Sequence, residues 1–173
     1  DKVPCGKLTA SMPKTTGQEP LYYNHQNTGR PVPDDNPRFA KFASNYLDVR
    51  NGALYPFGYG LSYTTFEYGP LQISADHTAT VRVTNTGSRA ADEIVQLYIR
   101  DKVASISRPV KELKAFRRIH LAAGESQDVS FQITPDMLKF YNADLQYVLE
   151  PGEFDIMVGP NSRDTKNGTI SVK

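Results

Sequence analysis

The chain has 173 residues, 39% of them hydrophobic and 23% charged, with a net charge of +1. That composition is too apolar for a disordered chain, and the charge gives no bulk attraction to nucleic acid or anionic lipid. No stretch is long and apolar enough to cross a bilayer as a helix, and the single cysteine excludes an internal disulfide or a cysteine-based zinc site.

The first residues, Asp1 to Gly6, contain no initiator Met and no basic stretch followed by an apolar run, so the chain reads as part of a longer polypeptide. Cys5 reads as a small buried or semi-buried hydrophobe. Residues 1–65 are rich in Pro, Gly, Asn and Tyr, and Pro4, Pro13, Pro20, Pro31, Pro33, Pro37 and Pro56 interrupt any regular element. Gly6 to Pro13 reads as one strand that the proline stops. Phe39, Phe42, Ala43, Tyr46 and Leu47 fall at helical spacing behind Asn36-Pro37, and an extended path is equally open. So long an irregular run is unusual in a compact domain and points to a segment that lies against another body.

The stretch Tyr55-Pro56-Phe57-Gly58-Tyr59-Gly60-Leu61-Ser62-Tyr63 lacks the third glycine and the helix of a phosphate loop. It reads as an aromatic knot: the glycines let the backbone come close to a surface, and the rings supply contact area. Tyr55, Phe57, Gly58, Tyr59, Gly60 and Tyr63 are therefore the candidate interdomain contact residues.

From Leu71 the pattern becomes strand, turn, strand. Val81, Val83, Val95, Leu97, Ile99, Val129, Phe131, Ile133, Tyr147, Phe154, Ile156 and Val158 alternate with polar residues and form the expected inward set. Thr134-Pro135 opens a single capped helical turn, and turns are expected at Asn85–Ser88, Ala123–Glu125, Asn142–Asp144 and Pro151-Gly152. Asn167-Gly168-Thr169 matches both a glycosylation acceptor and a hairpin turn, of which the turn is the expectation. The fold expected for residues 66–173 is an all-β, immunoglobulin-like antiparallel sandwich, preceded by a mostly irregular segment over 1–65.

The chemistry-bearing residues form no recognisable site. His25, His77 and His120 lie far apart, so they read as surface or interface histidines and not as a metal site. Asp34-Asp35 reads as a solvated turn, not as two acids facing across a sugar. Lys111, Lys114, Arg117 and Arg118 read as a solvated strand face or a domain contact.

Several motifs together resemble the C-terminal region of glycoside hydrolase family 3, most of all its bacterial periplasmic β-glucosidases. They are Gly6-Lys7-Leu8, Pro20 to His25, Asn27 to Pro31, Leu54 to Thr64, Ser107 to Leu113, Glu150 to Phe154 and Val158-Gly159. Cys5 and the stretch Ala10 to Pro13 depart slightly from that pattern. The resemblance implies a parent with a barrel, an α/β sandwich and a fibronectin type III-like end. Residues 1–65 would close the α/β sandwich and link to the last domain, residues 66–173. It also implies a retaining β-glucosidase in the periplasm or secreted, with an aspartate nucleophile and a glutamate acid/base. Neither catalytic motif occurs here, so no catalytic residue is assigned and no cofactor is expected. The expected partners are the parent's own catalytic domains. The alternatives are a carbohydrate-binding module, for which ten tyrosines and no tryptophan offer stacking faces, and an unrelated adhesin-like sandwich.

Overall fold

A computed structural model describes residues 2–32 and 41–173. Asp34-Asp35, and the Asn36, Pro37 and Phe39 positions of the helical reading, lie outside the described residues.

The strands run β1 (Phe66–Tyr68), β2 (Gln72–Ile73), β3 (Thr78–Asn85), β4 (Ala91–Asp101), β5 (Glu112–Leu121), β6 (Ser126–Gln132), β7 (Phe140–Tyr141), β8 (Tyr147–Val148), β9 (Gly152–Gly159) and β10 (Lys166–Val172). A one-turn helix, α1 (Pro135–Leu138), follows β6. The first sheet has β3 at its centre, with β6 on one edge and β1 and β2 end to end on the other. Pro70, which has no N–H to give, falls where that edge strand breaks. The second sheet has the order β10-β9-β4-β5, and all its pairs are antiparallel.

The period-two pattern decides how the sheets meet. In β3 the side chains of Ala79, Val81 and Val83 are buried, and Thr80, Arg82 and Thr84 lie on the other face. Val95, Leu97 and Ile99 of β4, Val129 and Phe131 of β6, and Phe154, Ile156 and Val158 of β9 join them in one core between the sheets.

Asn85 closes one end of that core. Its buried amide donates to the carbonyls of Arg89 (2.8 Å) and Leu121 (3.1 Å) and accepts from the Thr64 hydroxyl (2.7 Å) and the Gly87 amide (3.1 Å). A buried polar side chain needs such satisfaction, and this one ties the leading segment to the strand turn.

Four expectations change. Tyr147 is not in the core: it is 49% exposed, and its ring lies against Tyr141 on the outer face of the β7–β8 hairpin. Asn167-Gly168-Thr169 is no turn but the middle of β10, and the chain reverses in the residues before Lys166. Thr134 precedes α1 without a side-chain capping bond, so Pro135 at the first helical turn and the burial of Leu138 set that element. Phe42 has a φ of +62°, which ends any right-handed helix there.

Phe131→Ala, in the middle of the core, is expected to lower the unfolding free energy by about 3 kcal/mol or more. Urea unfolding followed by circular dichroism measures it, and a loss under about 1 kcal/mol would contradict the inward face described here.

Candidate interdomain surface and groove

β4 is buried on both faces over its middle, Val95–Ile99. Gln96 and Tyr98 point away from the core, and alternation alone would leave them in water, yet they are 3% and 0% exposed. The leading segment covers them. Tyr23 meets Tyr98 edge to face at 5.9 Å and stacks on Phe57 at 4.2 Å. The Tyr98 hydroxyl donates to Gln96 Oε1 at 2.5 Å, and Gln96 Nε2 donates to the carbonyls of Gly58 (3.1 Å) and Pro160 (2.6 Å). Burial, with the neighbouring Tyr23, pushes the Tyr98 phenol well above its ordinary pKa, so it stays a donor.

The glycines of the knot serve this contact. Gly58 has a φ of +80°, and a Cβ there would overlap the Gln96 amide and lie 2.9 Å from the Tyr98 hydroxyl. A Cβ on Gly60 would run into the carbonyl of Gly6. The Gly6–Pro13 stretch runs beside the knot, with bonds from Leu8 N to Tyr59 O (2.8 Å), Gly58 N to Leu8 O (2.8 Å) and Met12 N to Tyr55 O (2.8 Å). Of the strand expected there, the single bridge Met12–Tyr55 forms.

The six candidate contact residues therefore divide. Phe57 and Gly58 face this chain's own sandwich, and Gly60 faces its own Gly6. Tyr59 is half-buried beside Tyr55, with ring centres 4.9 Å apart. Tyr55 and Tyr63 are 43% and 67% exposed, and Met12, Leu54 and Leu61 of the same segment are also exposed.

A buried ion pair fixes the start of the segment. Lys7 Nζ lies 3.0 Å from Glu93 Oε1, and the Tyr68 hydroxyl donates to the same oxygen at 2.9 Å. Burial first, and then the Glu93 charge, holds the Tyr68 phenol well above its ordinary range. Elsewhere Asp92 sits on the surface between Arg118 and His120, and the hydrogen bonds from Arg118 first and His120 second lower its pKa.

Asp101 is the carboxyl raised above its ordinary range. Burial is the main cause; the Val103 N–H and Arg108 oppose it, and Glu150 and Glu112 add to it. Its Oδ2 is buried without a partner. Among the described residues no group of three His, Cys, Asp or Glu side chains is placed to hold a metal. His25 and His120 are exposed, His77 is half-buried, and Cys5 is half-buried and free.

Between the leading segment and the outer face of the second sheet lies an open groove of about 1020 Å³. Its floor includes Arg100, Asp155, Met157, Asn167 and Thr169, and Tyr22, His25 and Tyr46 line it from the leading segment. Sequence reasoning missed it, because nothing local shows that these residues converge.

Residues 93–162 match the family described as Fibronectin type III-like domain. The whole chain is similar to the periplasmic β-glucosidase of Salmonella typhimurium, 46% identical over 99% of this chain and 23% of that protein. It is similar to a putative β-xylosidase of Formosa agariphila, 40% identical over 98% of this chain and 22% of that protein. The crystal structure of a β-glucosidase from Listeria innocua in complex with gluconolactone superposes with a TM-score of 0.87 at 43% identity, covering 99% of this chain and 24% of that one. The chain thus spans about a quarter of the length of the relatives it matches.

Gly58→Ala is expected to destabilise the protein by about 2 kcal/mol or more, through the positive φ and the overlap with Gln96. Loss of Tyr98 burial in near-ultraviolet circular dichroism reports it. For Asp101 the folded state holds its proton more tightly than the unfolded one, so its ionisation opposes folding. The cost is absent below the ordinary aspartate range and grows as pH rises through the raised value. Asp101→Asn is thus expected to raise the thermal midpoint at neutral pH and leave it unchanged around pH 3; scanning calorimetry at both pH values checks this.

Proposed function

This chain belongs to glycoside hydrolase family 3 over the region its relatives share with it, and on that premise we propose that it is the C-terminal, non-catalytic part of a retaining β-glucosidase. In this reading residues 66–173 form the fibronectin type III-like domain, and residues 1–65 form the end of the preceding α/β sandwich with its linker. The chain braces the parent's catalytic domains. Those domains would supply the nucleophile and the acid/base and would take the terminal β-glucosyl unit.

The observation that carries the reading is the division of the aromatic knot. Its inner side is spent on the sandwich, while Tyr55 and Tyr63 stand exposed beside Met12, Leu54 and Leu61. A row of large apolar side chains on a well-anchored backbone fits a protein contact better than open water. In this reading the parent works in the periplasm or outside the cell, and the periplasmic name of the Salmonella relative supports this.

A second reading, a carbohydrate-binding module, draws on the aromatic and polar groove. It is compatible with the first.

The test is reconstitution. The chain, produced apart from the rest of its parent polypeptide, is expected to restore hydrolysis of an aryl β-glucoside when mixed with that remainder, and to give no turnover alone. Tyr55→Ala with Tyr63→Ala is expected to weaken the association about tenfold or more. Turnover by the isolated chain, or association indifferent to the double substitution, would contradict the proposal.

A further inference from the structure

From the outer face of the second sheet we infer that the groove binds an oligosaccharide. This rests on the second reading above and is independent of the first.

The strand register builds the floor. Thr169 of β10 is paired with Asp155 of β9, which is paired with Arg100 of β4, so the three stand in a row across adjacent strands. Asn167 and Met157 form the next row, and Met157 runs on to the covered Tyr98. Because the register is fixed, donors and acceptors are held about 5 Å apart without any loop to order. The Thr169 hydroxyl donates to Asp155 Oδ1 at 3.4 Å, leaving most of that carboxylate free to accept. The Arg100 guanidinium makes no hydrogen bond or ion pair among the described residues, although it is half-buried and lines the groove. A guanidinium and a carboxylate side by side on a rigid sheet can clasp neighbouring hydroxyls, one donating and the other accepting.

The wall supplies the other half of sugar recognition. Tyr22 is exposed and lines the groove. Tyr46, half-buried, lines it too, with its hydroxyl bonded to the carbonyl of Gln18 (3.1 Å). Aromatic faces over a floor of fixed polar groups suit a pyranose, whose ring offers a C–H face and a rim of hydroxyls. Tyr141 and Tyr147, exposed elsewhere on the surface, have rings tilted by 39°. Lys139 Nζ lies 5.7 Å over the Tyr147 ring, so that pair offers neither a flat platform nor a polar floor.

The experiment is calorimetric titration of the chain with cellotetraose. Saturable binding is expected, weakened about tenfold by Arg100→Ala, by Asp155→Ala and by Tyr22→Ala, and unchanged by Tyr141→Ala. Should Arg100→Ala fail to fold, Thr169→Val on the exposed edge strand reads the same floor. Absence of saturable binding overturns the inference, as does binding unaffected by the floor variants or lost equally in Tyr141→Ala. Binding by the isolated chain but not by an active-site-blocked parent also overturns it, because the groove would then be an interdomain surface. Reconstitution with the catalytic part is expected to survive Arg100→Ala, so failure here leaves the bracing role standing.

Discussion

The second face of β4 is the constraint on which the rest of the structure depends. An antiparallel sandwich normally leaves the outer face of each sheet to water. Here Gln96 and Tyr98 occupy that face and are sealed under Tyr23, Phe57 and Gly58. A buried amide without partners would cost about 1–3 kcal/mol, so the covering segment must deliver the Gly58 carbonyl to Gln96 and cannot slide. The irregular first third of the chain is held for that reason. Among the described residues its backbone forms no sheet of its own, but its carbonyls and rings are partners that β4 requires.

The same logic explains two further fastenings. Lys7 meets Glu93 beneath Tyr68, and Thr64 meets the buried Asn85. Each joins a residue of the leading segment to a polar group that the sandwich buries. Removing one partner of a buried pair typically costs about 3–5 kcal/mol, far more than the pair gains when intact. These contacts therefore act as registration points that penalise misplacement more than they add stability. The exposed pairs, such as Arg82–Asp128 at 3.4 Å, carry little of that weight.

Fastening the segment in this way has a structural consequence. It holds the described part of the segment against the sandwich, with Tyr55 and Tyr63 exposed on it and the groove open between segment and sheet. A contact residue on a loose tail would lose ordering entropy on every encounter, and one held in advance does not. On the proposed reading, this is the physical basis on which a domain without an assigned reaction of its own would stabilise neighbours that have one.

The sequence by itself determined the sandwich, because alternation over β3, β4, β6 and β9 is a local property that only one inward face can satisfy. Phe131, Leu97 and Ile156 were legible in this way, and so was the special character of the glycine-aromatic stretch. Tertiary structure alone decided what lay on the other side. Whether Gln96 meets water or Gly58 depends on a residue 38 positions away. Tyr147 alternates correctly yet belongs to a hairpin that turns it outward, and Asn167-Gly168-Thr169 has the composition of a turn but lies in an edge strand paired with β9. Local pattern fixes which faces a strand has. Which face stays wet is settled by chain that arrives from far away, and no short window contains that information.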